Sequence, residues 1–182
     1  RNVAETFTQK RADAISSFPF EEWRDQASAI RLQVLDHLSG YVGRFAASAS
    51  RVGATIHRAQ DASSACEIVA SLLKEHEVKR VVKSKSMVSE EIHLNEHLQE
   101  QGIEAVETDL GEYINQLAGH RPSHIIVPAI HNNRRQIGEL FAKKLGADYT
   151  DDAAALTRIA RKTLRAQFLS AQAGISGANF AV

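Results

Sequence analysis

Residues 79–108 decide the fold, because two strand-like runs flank one helical stretch in the sequence KRVVKSKSMVSEEIHLNEHLQEQGIEAVET. The runs at 79–84 and 103–108 are short and apolar at their centres. The residues between them begin a helix at a cluster of serines and end it at Gly102. A strand, a helix and a second strand in this order form the unit that builds parallel sheets with right-handed crossovers.

The same alternation of strands and helices continues on both sides of this stretch. Further strands are predicted at 54–57, 123–128 and 174–182, with a helix that begins at Asp61 or Ser64 and others that end at Gly119 and Gly146. The fold class is therefore α/β, with a mostly parallel sheet and helices on both faces. We place this α/β domain at residues 53–182.

Residues 1–52 form a separate helical N-terminal segment. Apolar side chains recur at three- and four-residue steps from Trp23 to Phe45, which is typical of one long amphipathic helix, bent or ended early near Gly40 and Gly43. Such a stripe favours packing against a partner element or a homo-oligomer contact.

Composition excludes several classes of protein. The 182 residues carry 22 Lys+Arg against 22 Asp+Glu, which argues against nucleic-acid binding. The single cysteine, Cys66, rules out an internal disulfide and an iron–sulfur cluster held by this chain alone. No apolar run approaches the roughly 20 residues of a membrane span. We therefore expect a cytoplasmic domain, and the apolar end at 179–182 suggests a fragment of a longer protein, truncated at its C-terminus.

The candidate site lies at the carboxyl ends of the strands, where open α/β sheets bind their ligands. Lys83, Ser84, Ser86 and Ser89 combine lysine, hydroxyls and a helix start, a pattern that predicts a pocket for a small anion such as a phosphate or a carboxylate. The alternative is an ordinary capped helix start with solvated lysines.

Two more strand ends carry polar groups. Glu107 and Asp109 follow the 103–108 strand as weaker ligand candidates, with helix capping by Asp109 as the alternative. His131 follows the 123–128 strand as a proton-transfer or orienting group, although Asn132 or Asn133 at the same place could simply cap a helix. Ser176 and Asn179 would close the other side of the pocket.

Other polar residues have simpler explanations. His93 and His97 lie four residues apart, but a third zinc ligand is not evident, so we expect no metal site. A solvated surface explains the basic face of the last helix, which carries Arg158, Arg161, Lys162 and Arg165. Core packing explains Cys66.

Four polar motifs follow one another along the chain: Lys83–Ile92 followed by Leu94-Asn95, then Glu107–Ile114, Pro128–His131 and Gly174–Ala181. In this order they resemble the lactate utilisation protein B family, over essentially the whole chain. The resemblance implies a bacterial protein that oxidises L-lactate to pyruvate together with two sister proteins. It also implies an N-terminal domain with the fold of ribose-phosphate isomerase, glucosamine-phosphate deaminase and CoA transferases.

The resemblance further implies two [4Fe–4S] clusters, in a ferredoxin-like region that this chain does not contain. The chain itself is expected to bind no cofactor and to be inactive in electron transfer alone. Two roles remain open for it. It either binds a small anionic ligand within an oxidoreductase complex, or it is a scaffold that docks the sister subunits. A stand-alone domain that binds a phosphate or CoA-type ligand is the further alternative.

Overall fold

The computed structural model describes residues 3–120 and 127–176, and within these ranges it contains a parallel sheet of three strands. The strands are β1 (Arg80–Lys83), β2 (Glu104–Glu107) and β3 (Ala173–Ile175), in the order β2-β1-β3. In the parallel register Arg80 pairs with Glu104 and Lys83 with Glu107, so the carboxyl ends of β1 and β2 meet. The predicted α/β class and the two strands of the 79–108 stretch are confirmed.

Nine helices accompany the sheet in the described part of the chain. They are α1 (Val3–Ile15), α2 (Phe20–Asp36), α3 (Leu38–Arg51), α4 (Ala62–Glu75), α5 (Met87–Glu91), α6 (Leu94–Glu100), α7 (Leu110–Ala118), α8 (Arg134–Leu145) and α9 (Ala153–Ser170). The chain divides into two compact units, residues 1–57 with α1–α3 and residues 58–182 with the sheet and the other helices.

The N-terminal unit differs from its prediction in one respect. The single helix expected from Trp23 to Phe45 is interrupted at His37, whose φ of −120° leaves the helical range between α2 and α3. The imidazole Nδ1 lies 3.0 Å from the carbonyl oxygen of Gln33, one turn earlier. The break therefore falls at a residue whose side chain contacts the backbone, and not at Gly40 or Gly43.

Helices cover both faces of the sheet. Val81, which is fully buried, packs with Ala70 and Leu73 of α4 and Leu98 of α6 on one face. On the opposite face Val82 and Val106 pack with Tyr113 of α7. A separate cluster joins α7, α8 and α9 through Ile114, Phe141, Leu156 and Ala160. Burial of apolar side chains on both faces explains why β1 is a continuous apolar run.

Side-chain caps fix where the helices begin. Asp109 and Asn133 cap α7 and α8, as the capping alternatives for these positions held, and Asp152 caps α9. Of the two predicted starts, Asp61 is the one that caps α4, and it forms a capping box with Ser64. Similarly α5 begins one turn earlier than Ser89, because Ser86 accepts the Ser89 N–H.

Three strand predictions have other outcomes. Residues 54–57 lie outside any helix or strand, and all four are exposed, so that prediction is wrong: a run with one large apolar residue, Ile56, has no core to pack on. The 123–128 strand lies largely outside the described residues. The last strand is described only as β3, which ends at Ile175. Within the described residues, no helix is long and apolar enough to cross a membrane.

Candidate functional site

A buried ion pair joins the carboxyl ends of β1 and β2. The Lys83 ammonium lies 2.7 Å from Glu107 Oε1, and the two side chains are 1% and 6% exposed. The register of the parallel strands brings them together, because Lys83 and Glu107 are paired residues. A buried charge needs an opposite charge and hydrogen bonds, and this pair supplies both.

Two serines and an asparagine complete this Lys83–Glu107 centre. The Lys83 ammonium also donates to Ser89 Oγ at 2.9 Å, and Ser89 Oγ donates to the carbonyl oxygen of Ser86. From α6, Asn95 Nδ2 donates to Glu107 Oε1 at 2.8 Å. The serine cluster therefore holds the lysine in place, and the Ser89 N–H is already bound to Ser86 Oγ.

Several buried acceptors near this centre remain without a donor. Glu107 Oε2, Asn95 Oδ1 and Asn115 Oδ1 accept no hydrogen bond from any residue the structure describes. Asn115 is 1% exposed, and its Nδ2 donates to the carbonyl oxygen of Pro128. Buried polar atoms are nearly always satisfied, so these oxygens are exceptions among the described residues, and each has almost no surface accessible to solvent.

A cleft of about 690 Å³ opens next to the centre. Its walls come from α5, α6, the end of β2, and α7 from its first turn to the two residues that follow it. The lining residues are Ser89, Glu90, Glu91, His93, Asn95, Glu96, Gln99, Glu107, Glu112, Asn115, Gln116, Gly119 and His120. Five of these residues are glutamates, so the cleft is acidic.

Two of the cleft carboxyls are shifted towards their neutral form. Burial raises the pKa of Glu112, and the charge of Glu90 raises it further, although Lys85 lies 3.4 Å away and opposes the shift. Burial likewise raises the pKa of Glu90, against the attraction of Lys83. These shifts follow from a concentration of negative charge in a partly desolvated space.

The structure brings some of the predicted site residues together and leaves others apart. Lys83, Ser86, Ser89 and Glu107 form the buried centre. Ser84 is exposed, and its backbone N–H donates to Ile175. Asp109 is exposed and caps α7, as the alternative held.

The remaining predicted residues lie further out. The His131 ring is 5.7 Å from that of His120, which lines the cleft, and Asn132 Nδ2 lies 3.1 Å from His131 Nε2. Ser176 is exposed at the end of β3. Asn179 lies outside the described residues.

Metal binding finds no support in the described ranges, where no group of three His, Cys, Asp or Glu side chains could hold an ion. His93 lies before α6 in the left-handed region and His97 lies within that helix, so the two histidines do not share a helix face as the spacing suggested. Cys66 is buried, its Sγ contacts the carbonyl oxygen of Ile92, and burial raises the pKa of its thiol. One cysteine does not fit a [4Fe–4S] cluster, which needs several thiolates.

Sequence reasoning missed Asn95, which belongs to the centre, and Asn115, which lines the cleft beside it. Asn95 follows the buried Leu94, and Asn115 follows Tyr113 and Ile114 on α7. An amide inside an apolar helical run is a usable signal, because it must find hydrogen-bond partners when buried. Glu112 was not among the candidate residues, whereas it is 4% exposed and pairs with Lys85.

Fold and site together define an α/β domain with a charged, hydrogen-bonded centre at the carboxyl ends of a parallel sheet. The family model of the LUD domain matches residues 42–182. This chain belongs to the LUD domain family.

Named relatives agree with this family. The chain is 45% identical over 163 residues to "Lactate utilization protein B" of Oceanobacillus iheyensis, covering 90% of this chain and 34% of that protein. It is 42% identical over 173 residues to the protein of the same name from Bacillus thuringiensis, covering 95% of this chain and 36% of that protein. The chain therefore spans about a third of the length of these relatives. No solved structure matches it.

Proposed function

We propose that this chain serves as the LUD domain of a longer protein that functions in bacterial lactate utilisation. The observation that carries the proposal is the identity of 42–45% over at least 90% of the chain to proteins named for that process. Electron transfer through two [4Fe–4S] clusters, two sister proteins and a cytoplasmic location are proposals for the longer protein, and they rest on the family resemblance.

Within that protein, we propose that the Lys83–Glu107 centre positions the strand ends around a ligand. A small anion at Lys83 would have to replace Glu107 at the ammonium, because the two groups are 2.7 Å apart and buried. Lys85 is the more accessible cation at this end of β1, with a side chain 29% exposed and a longer contact of 3.4 Å to Glu112. Lactate or another small carboxylate would meet Lys85 first.

The lactate role is tested by growth on L-lactate as the sole carbon source. A bacterium from which the gene for its own full-length protein has been deleted should fail to grow, and the full-length protein containing this chain should restore growth. Unchanged growth after the deletion, with no second copy in the genome, overturns the lactate role.

The anion role of Lys85 is tested in the same strain with full-length variants. Lys85→Met should reduce growth on lactate but not on glucose, whereas Lys79→Met, at the other end of the strand, should grow like the wild type. Protein abundance is measured in parallel to exclude loss by unfolding. Equal growth of both variants at equal abundance overturns the anion role and leaves the lactate role standing.

Docking of sister subunits is a second candidate role, favoured by the surface of α9. Arg158, Arg161, Lys162 and Arg165 are exposed, and none of them forms an ion pair within residues 3–120 and 127–176. Substitution of Arg158, Arg161 and Arg165 by Glu should remove the sister proteins from a pull-down of the full-length protein. Normal co-elution contradicts the docking role.

A further inference from the structure

An apolar stripe without a core lies along α2 and α3 in the N-terminal unit. Its large side chains are all exposed and recur at steps of three, four, seven and eight residues: Trp23, Ile30, Leu38, Tyr41, Phe45 and Val52. Neither helix contains a buried residue. In the described part of the chain, the three apolar clusters include no side chain from residues 1–57. Helices draw most of their stability from packing of an apolar face, so this α2–α3 stripe needs a partner surface.

The stripe continues across the break at His37. The Tyr41 N–H donates to the His37 carbonyl oxygen at 3.1 Å, so helical hydrogen bonding resumes directly after the break. The apolar steps also continue, from the partly buried Val34 on α2 to Leu38 and Tyr41 on α3. With 17 residues in α2 and 14 in α3, the two helices together contain about 45 Å of helix. A partner therefore has a long, narrow apolar surface to cover.

The charges of the two helices are opposite in sign. α2 carries four carboxylates against two arginines, whereas the only charged residues of α3 are Arg44 and Arg51. Glu22 precedes His37 by about as many residues as Arg51 follows it. If two copies lie antiparallel about an axis beside His37, the start of each α2 therefore meets the end of the other α3. Opposite charges then attract, whereas a parallel pair would place like charges together.

The exposed area of the stripe is of the size that a stable dimer needs. A buried aromatic side chain removes about 150–250 Å² from water. At 56%, 38% and 68% exposure, Trp23, Tyr41 and Phe45 would bury roughly 250–400 Å² per copy when covered. A standard interface buries about 800 Å² per partner, so the aromatic residues alone supply up to about half of it. The exposed aliphatic members of the stripe add to this area: Ile30, Leu38 and Val52.

We propose that the α2–α3 stripe is a homodimer surface, on which the same two helices of a second copy of this chain lie antiparallel. α2 of each copy contacts α3 of the other, so the same contact occurs twice, as a two-fold axis requires. The apolar side chains form the centre of the interface. At its rim, Glu22 of each copy lies near Arg51 of the other. This surface goes beyond the proposed lactate role and does not rest on it.

Size-exclusion chromatography with light scattering on the full 182-residue chain tests the dimer. We expect twice the monomer mass of 20.0 kDa. Ile30→Glu places a charge within the stripe and should give a monomer. Leu32→Glu is the matched control and should stay dimeric, because Leu32 is 59% exposed against 61% for Ile30 but points to the opposite side of α2, two residues further along. A monomeric wild type, or the same mass for the two variants, overturns the proposal.

An exchange of charges tests the antiparallel orientation. Arg51→Glu should weaken the dimer by about tenfold or more, because the contact occurs twice and each copy of it changes from attraction to repulsion. The double variant Arg51→Glu/Glu22→Lys restores opposite charges and should recover most of the affinity. Sedimentation equilibrium measures the dissociation constants. Recovery also shows that Arg51→Glu is folded. A double variant that binds no more tightly than Arg51→Glu overturns the proposed arrangement.

The full-length protein distinguishes a second copy from other partners of the stripe. We expect the purified full-length protein to be a dimer that Ile30→Glu dissociates and Leu32→Glu does not. A monomeric full-length protein would mean that another part of the same chain covers the stripe, and that result overturns the proposal. The measurement uses neither lactate nor the sister proteins, so its failure is distinct from a failure of the lactate role.

Discussion

Loss of one partner of the Lys83–Glu107 pair should destabilise the domain strongly. In Glu107→Gln the Lys83 ammonium, 1% exposed, keeps the neutral Ser89 hydroxyl but loses its counter-charge. Removing one member of a buried pair costs about 3–5 kcal/mol, because the remaining charge is left uncompensated. For a domain of this size that loss lowers Tm by about 6–20 °C.

The same two strands supply a matched control. Arg80 and Glu104 are also paired in register and also 2.7 Å apart, but their side chains are 34% and 51% exposed. An exposed pair contributes about 0–1 kcal/mol. Glu104→Gln should therefore cost less than about 1 kcal/mol. Urea unfolding followed by circular dichroism measures both variants, with equal m-values as the check on two-state behaviour.

Two results would refute this reasoning. One is a loss in Glu107→Gln no larger than that in Glu104→Gln. The other concerns the double variant Lys83→Met/Glu107→Leu, which removes both charges. We expect its loss in free energy of unfolding to be less than half of the summed losses of the two single variants. If the losses of Lys83→Met and Glu107→Leu simply add, the two side chains are not coupled and the pair does not carry the stability assigned to it.

Three further changes have expected outcomes. Glu112→Gln should raise stability near pH 7, and the advantage should vanish as pH falls through the raised pKa of Glu112, because the wild-type carboxyl then becomes neutral; thermal melts against pH measure this. Gln116→Ala should cost about 1–2 kcal/mol in urea unfolding, because the Gln116 amide accepts from the Glu107 N–H and donates to the Ala105 carbonyl oxygen on the side of β2 away from β1. Gly138→Ala should lower the free energy of unfolding by about 3 kcal/mol or more, since the added Cβ would lie 2.1 Å from the Thr150 carbonyl oxygen. The control is Gly43→Ala, whose Cβ would meet nothing within 4 Å and which should stabilise α3 by up to about 1 kcal/mol.

The sequence predicts the sheet well where apolar runs have helices on both sides. Val81 and Val106 occupy opposite faces of a sheet that needs both covered, and the 79–108 stretch contains all the signals of strand, cap and turn. The strand predicted around Ile56 failed because pattern alone does not show whether a partner strand exists nearby. Similarly, the break at His37 coincides with a side-chain contact to the Gln33 carbonyl oxygen, and periodicity reveals neither of them.

The positions of the candidate site residues at the strand ends were predicted, but the ion pair between Lys83 and Glu107 was not. Lys83 and Glu107 were both selected because they end strands, yet only the strand register shows that they neutralise each other. Lys83, which was expected to bind an anion, therefore already binds the Glu107 carboxylate. Asn95 and Asn115 lie on the helices directly before and after β2, and their convergence depends on how α6 and α7 pack on that strand.

The two cross-strand ion pairs also favour one alignment of β1 and β2, because both can form only in the observed register. They stand three residues apart on each strand, at Arg80–Glu104 and Lys83–Glu107, so they lie on opposite faces of the sheet. A slip of one residue would mismatch both pairs at once and would place the Lys83 charge among apolar side chains. Misaligned sheets are thus penalised on both faces together, and the charges contribute selectivity for one alignment during folding as well as stability afterwards.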